Sequence, residues 1–337
     1  MRDGDWTLRQ EGARDRLIPE IRKDTHMIFR FGFGIATTVL LSALWAAPRR
    51  TAIAPNGVPV KVLVTAGSRS GGEVAEVHRE DVIVYQGHER DKVTDWVAAK
   101  GDRSGLEIFV LIDDASNSNL GLQLDDVRHF IQSQAATTMV GVAYMENGTA
   151  HILQNLTSDH ALAAKALRLP LEVPGINASP YLSLGDLIKR WPESSARREV
   201  LMISSGIDLY WGSGAGDPYV DSVVDQAKRA SVIVFGVYTP AAGHYGHNFW
   251  RTWWGQIYLS RVCDETGGEC YGVGFSGSPV SFHPYLDDVG HHLDHQYWLT
   301  FLAVPGKKSG MQPVRLTTEA PNVELVAADS VYIPAER

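Results

Sequence analysis

Apolar residues gather in four short runs across the middle of the chain: LEIFVLI (106–112), MVGVAYM (139–145), EVLMIS (199–204) and SVIVFGVY (231–238). Each is rich in Ile, Val, Leu or Phe and shows little alternation, the pattern of a strand covered on both faces. Between them, helical segments are expected over 120–134, 159–168, 181–191 and 218–230. Strands alternating with helices in this way predict a mostly parallel sheet with helices on both faces. The run HILQ (151–154) follows Asn147-Gly148, a turn signal that predicts a hairpin and one antiparallel edge.

The flanking segments read differently. VPVKVLVTAG (58–67) alternates apolar and polar residues, a second strand-like run lies at Asp81–Tyr85, and the carboxyl end holds QYWLTFLAV, QPVRLTT, VELVAA and SVYIP separated by Pro, Gly, Lys and Asn. These are antiparallel patterns, and strands from the two ends are expected to pair into one small β module. The expected organisation is N-terminal strands of that module over 55–100, an α/β domain over 101–295 and the remaining strands over 296–337.

The first apolar run ends in Asp113, Asp114, Ala115, Ser116, Asn117 and Ser118. In open α/β sheets the carboxyl ends of the strands are where ligands bind. Asp114, Ser116 and Ser118 offer oxygen donors at alternate positions, a set suited to a hard divalent cation: Mg²⁺ first, with Mn²⁺ or Ca²⁺ as alternatives. Asp113 should point to the other face of its strand.

The string DASNS resembles the DxSxS signature of the metal-ion-dependent adhesion site in von Willebrand factor A domains, and the resemblance continues in order along the chain. NLTSDHALAAKAL (155–167) and NASPYLSLGDL (177–187) resemble the segment that supplies the family's metal-binding threonine, with Ser179 in its place. EVLMISSGID (199–208) resembles the strand that ends in Thr-Asp-Gly, and the segments at 231–239, 259–271 and 295–305 resemble the closing elements of an exported branch common in acidobacteria. The resemblance covers residues 58–335, roughly, and implies an α/β, von Willebrand factor A-like (Rossmann-like) fold with the β module beside it.

The function implied is that of an exported, non-enzymatic protein-interaction or adhesion module. Ser116, Ser118 and Ser179 would ligate the cation, Asp114 would hold it directly or through water, and an acidic side chain of a protein partner would complete the shell. The chain departs from the pattern at Ser205, which stands where the family has an acid, with Asp208 and Asp113 as the nearby carboxylates able to compensate. One unit charge at 4 Å is worth on the order of 4 kcal/mol at an effective dielectric near 20, so the loss weakens the expected site.

Two long loops, 209–219 and 239–256, should emerge on the same side and bring Trp211, His244, His247 and Trp250 as partner-binding candidates. Trp250, Trp253 and Trp254 stand at helical spacing, which favours two of the three packing into the core. Two other readings remain: a metal-independent envelope scaffold of the same fold, and an extracytoplasmic metalloenzyme using His244 and His247 or His291, His292 and His295. The second histidine group lacks the glutamate of HExxH and suits capping or solvation better.

Residues 31–47, FGFGIATTVLLSALWAA, are apolar and uncharged, with Arg30 before and Arg49-Arg50 after. They mark 27–54 as a signal peptide or an uncleaved membrane anchor, which places the rest outside the cytoplasm. Residues 1–26 carry six basic and six acidic groups, unlike a leader, so Met27 is the expected initiator and 1–26 a non-native or disordered extension. A net charge of −8 and a pI near 5.8, with no basic cluster, argue against a nucleic-acid binder. Cys263 and Cys270 flank a Thr-Gly-Gly turn and allow either a staple or two separate thiols.

Overall fold

A computed structural model describes residues 57–101, 105–173, 175, 177–212, 214–274 and 277–335. The segments expected to be a signal peptide or anchor (27–54) and an extension (1–26) lie outside the described residues. No helix among the described residues is long and apolar enough to cross a membrane.

The parallel sheet is built from β4 (Leu106–Asp113), β5 (Met139–Glu146), β6 (Thr149–Thr157), β7 (Arg197–Ser204), β8 (Val232–Tyr238) and β9 (Cys270–Tyr271). Their spatial order is β6-β5-β4-β7-β8-β9; all adjacent pairs are parallel except β5 with β6. Counted within the sheet this is the doubly wound order 3-2-1-4-5-6, whose direction of winding reverses between β4 and β7. The antiparallel edge comes from the predicted hairpin, with Asn147 and Gly148 both at positive φ (51° and 76°), as a type I′ turn requires.

Helices cover both faces. On one, α1 (Leu124–Ser133), α2 (His160–Lys165) and α7 (His283–Asp294) pack over Ile108, Val110 and Ile112. On the other, α3 (Pro180–Arg190), α4 (Pro218–Ala230) and α6 (Phe249–Thr266) pack over Phe109, Leu111, Val200 and Met202. The odd and even residues of β4 thus feed two separate cores, the period-two consequence of a strand buried on both sides. A single turn, α5 (Gly243–Gly246), precedes α6. Local chemistry starts α3 and α4: Ser179 and Asp217 cap them by accepting the amides of Leu182 (3.2 Å) and Tyr219 (2.8 Å), and each is followed by proline.

The second sheet joins both ends of the chain. It comprises β1 (Val58–Ser68), β2 (Val82–Gln86), β3 (Glu89–Ala98), β10 (Gln296–Ala303), β11 (Gly310–Thr318), β12 (Val323–Val326) and β13 (Ser330–Ile333), in the order β12-β1-β10-β3-β2-β11-β13. The strand β3 was not evident in the sequence, because Glu89, Arg90, Lys92, Thr94 and Asp95 leave it few apolar positions. It is held by pairing with β2 and β10 and by Trp96, which stacks on Tyr297 at 4.4 Å. Cys263 on α6 and Cys270 on β9 are free thiols that converge on Gly236.

A buried polar group joins the two sheets where α7 passes into β10. Arg197, at the start of β7, donates to the Leu293 carbonyl (2.7 Å) and to Gln296 Oε1 (2.5 Å). Glu199, two residues along the same face and fully buried, has its carboxyl pushed up to about 7 by burial, against the attraction of Arg197. Replacing Arg197 with Met should cost about 1–3 kcal/mol, measured by urea denaturation, because it strands the buried Leu293 carbonyl and Gln296 Oε1 and removes the positive charge near Glu199. The double variant with Glu199→Gln should recover part of that loss.

Candidate binding face at the carboxyl end of the parallel sheet

The reversal in winding opens the sheet at the carboxyl ends of β4 and β7, and the acids there are divided by the pleat. Asp113 faces the core under α3 and α6; Asp114 faces the opposite side, with Tyr144. Asp113 Oδ1 accepts the Ala115 amide (2.9 Å) and Oδ2 accepts the Ser204 hydroxyl (2.8 Å), a bond that ties β4 to β7 across the reversal. Burial pushes its carboxyl up to about 6, opposed by those two bonds.

Asp114 is fully buried and is held in a bidentate pair by Arg168, whose two terminal nitrogens donate at 2.6 and 2.7 Å. The Leu171 amide adds a third bond at 3.2 Å. The guanidinium lies 3.8 Å from the centre of the Tyr144 ring, and the Tyr144 hydroxyl donates to the Arg168 carbonyl. The segment after α2 therefore straps the DxSxS loop: Glu172 accepts the Ser118 amide at 2.7 Å, and Leu169 packs against Gly121.

Of the six residues that the pattern brought forward as ligands, Ser179 and Asp208 are joined, with the Ser179 hydroxyl donating to Asp208 Oδ2 at 2.5 Å. Asp208 also accepts the amides of Tyr210 and Trp211, both at 2.8 Å. Burial raises its carboxyl, and burial together with the nearby Asp208 charge pushes Asp217 up to about 6. Ser205 Oγ accepts the Ile207 amide at 3.3 Å. Asp114 lies across the sheet from this group, Ser118 presents its amide to Glu172, and the buried Ser116 hydroxyl has no hydrogen-bond partner.

Of these six residues the structure joins Ser179 with Asp208 and pairs Asp114 with Arg168. At Asp114 a guanidinium already supplies the positive charge, and the hydroxyl in the threonine's place is on the other face. On the Asp113 side a small cavity, about 10 Å³, is lined by Asp113, Ala115 and Ser179, and the Ser179 hydroxyl donates to Asp208. What the sequence pattern did not reveal is Arg168: it stands 54 residues from Asp114, with no motif spacing to connect them.

The same end of the sheet exposes large apolar side chains. Phe249, Trp250 and Trp253 are 70%, 63% and 44% exposed, and their rings form an edge-to-face series (5.4 and 6.2 Å) that continues through Trp254 into the core at Tyr258. Only Trp254 of the three helically spaced tryptophans packs inward, because α6 buries the neighbouring face through Gly255, Tyr258 and Leu259. Gly255 lies against Gly206, where a Cβ would come within 2.1 Å of the Gly255 carbonyl oxygen, so α6 sits directly on the turn after β7. Trp211 is half exposed and packs on Tyr219, while His244 is exposed and stacks on Tyr245, and His247 is exposed. His291 and His295 lie elsewhere, with His295 Nδ1 against the His291 carbonyl at the end of α7.

No family model and no curated protein matches the chain. Among solved structures, it is similar to a von Willebrand factor type A protein from Catenulispora acidiphila (TM-score 0.43, 9% identity, 84% of this chain and 75% of that one). An aerotolerance-related membrane protein from Bacteroides fragilis gives a TM-score of 0.42 at 11% identity over 56% of this chain and 99% of that one. The manganese-loaded TRAP protein of Plasmodium vivax gives 0.38 at 11% identity over 73% and 96%. The strand order and directions described above define the class: a doubly wound, mostly parallel α/β domain carrying an antiparallel β module.

Arg168→Met should lower stability by about 3 kcal/mol in urea denaturation, since Asp114 is left charged and buried, and Arg168→Met with Asp114→Leu should recover most of it. The buried acids also set a pH dependence. Asp113 and Asp217 bind their protons more tightly folded than unfolded, so the stability they contribute is present at acid pH and lost as pH rises from 3.8 to about 6. Glu199 extends that loss to about 7. The thermal midpoint should be higher near pH 5 than near pH 8, and Asp113→Asn should flatten part of the slope.

Proposed function

We propose that this protein is a non-enzymatic interaction module that binds a protein partner through the aromatic face at the carboxyl end of its parallel sheet, without a bound cation. The observation that carries this is the exposure of Phe249, Trp250 and Trp253 at the end of the sheet where α/β folds bind their ligands. Rigid aromatic rings on a helix supply contact area at small entropic cost, and truncating such an anchor typically costs at least about 2 kcal/mol, roughly thirtyfold in affinity. Trp211 and His244 stand on the neighbouring loops and extend the face.

The reading departs from adhesion through a metal, for which an acidic partner group would be needed: the charge at Asp114 is met within the chain by Arg168. The apolar stretch at 31–47 supports an extracytoplasmic location, secreted or held at the envelope. A partner captured by cross-linking from envelope extracts should be recovered equally with and without EDTA. It should be lost with Trp250→Ala/Trp253→Ala, a variant expected to unfold at the same temperature as wild type because both side chains are exposed. Capture that needs Mg²⁺ or Mn²⁺ would overturn the metal-independent reading, and capture unaffected by the double variant would overturn the aromatic one.

A further inference from the structure

A second group of side chains, away from the binding face, has the composition of a metal site. The donor atoms of Glu269, Asp288 and His292 all lie within 4.8 Å of one another, and His292 Nε2 is 3.8 Å from Glu269 Oε2. Asp288 and His292 come from α7 at i and i+4, one turn apart on one face of the helix. Glu269 comes from the turn between α6 and β9, and its position is set by the backbone around it. Gly268 donates to the Cys263 carbonyl, Gly236 donates to the Glu269 carbonyl (both 2.9 Å), and Gly267, at φ 88°, has no room for a Cβ against Ala327 and Ala328.

The surroundings favour a cation here over a chance meeting of surface acids. Tyr271, on β9 two residues beyond Glu269, donates its hydroxyl to Asp288 Oδ2 at 2.9 Å and so orients the carboxylate, as the outer partners of metal ligands do. Asp264 and Glu324 add further negative charge close to Glu269, and among the described residues no Lys or Arg forms an ion pair with Glu269, Asp288 or Glu324. His292 packs beside Phe235, with ring centroids 5.9 Å apart, which fixes the imidazole on the inner side of the group.

From this geometry we propose that Glu269, Asp288 and His292 bind a divalent transition metal, Zn²⁺ first, with water in the remaining position. One imidazole with two carboxylates suits Zn²⁺ better than Mg²⁺ or Ca²⁺, which favour oxygen-only shells. Zn²⁺ bonds of about 2.0–2.2 Å need donor separations near 3.4 Å, which small side-chain rotations supply from the positions seen. The ion would staple the last strand of the parallel sheet to α7, the helix that leads into the β module. This inference is independent of the aromatic face and of the DxSxS loop.

The test is calorimetric titration of the full chain with Zn²⁺ and, separately, Mg²⁺. One equivalent of Zn²⁺ should bind, with Mg²⁺ at least a hundredfold weaker. Asp288→Asn and His292→Ala should each weaken Zn²⁺ at least tenfold. Tyr271→Phe, which keeps the ring packing and removes only the hydroxyl that orients Asp288, should weaken it about tenfold. His291→Ala/His295→Ala should leave binding unchanged. Circular dichroism of each metal-free variant should match wild type, which separates loss of the site from loss of the fold. Absence of Zn²⁺ binding to the wild type, binding unchanged by Asp288→Asn and His292→Ala, or binding lost in the His291/His295 variant would overturn the proposal.

Discussion

Two adjacent carboxylates at the end of a strand buried on both faces must point to opposite sides, and the separation of Asp113 from Asp114 organises everything at this end of the molecule. Asp113 goes to the face shared with Ser179 and Ser204, where a hydroxyl and an amide satisfy it and join β4 to β7 at the reversal of the sheet. Asp114 goes to the face shared with Tyr144 and would be an uncompensated buried charge without Arg168. The pleat thus gives the two acids different partners. The bidentate pair supplies internally the positive charge that a bound ion would otherwise bring.

The other polar groups near this end are met in the same local way. Asp208 is engaged by two backbone amides and the Ser179 hydroxyl, Asp217 caps α4, and Ser179 caps α3 while donating to Asp208. Among the described residues at this end, the buried Ser116 and Thr239 hydroxyls and Asp217 Oδ2 have no hydrogen-bond partner. The exposed chemistry is apolar: a series of rings running from Phe249 down to Tyr258 in the core, mounted on a helix held against the β7 turn through the Gly206 and Gly255 contact. Arg251 lies among these rings, with its guanidinium over Tyr245.

The β module is attached through buried contacts. Leu63 of β1 belongs to the core over β4, and Arg197, Glu199 and Gln296 sit where α7 enters β10, so the antiparallel sheet is packed onto the α/β domain by both apolar and polar contacts. The group of Glu269, Asp288 and His292 lies along the same helix, beside Glu324 of β12. Helix α7 thus carries one polar cluster at its end and another along its length, each connecting elements distant in the sequence.

The apolar runs of β4, β5, β7 and β8 and the Asn147-Gly148 turn were legible in the sequence because burial on both faces and positive φ each demand particular residue types locally. The charged strand β3 was not, since its place in the sheet comes from β2 and β10 pairing on either side of it. Helical spacing alone could not say which tryptophans of α6 face solvent, because that depends on where the helix meets the β7 turn. The alternation at Asp113 and Asp114 could be anticipated from the strand period, but the partner of each acid could not. The sequence by itself determined the buried strands of the parallel sheet, their order and the hard oxygen donors at the strand end; the tertiary structure decided that Arg168, brought back across the sheet by α2, claims Asp114. Local patterns encode what each segment buries, whereas the pairing of two side chains far apart in the chain is decided only when the elements pack.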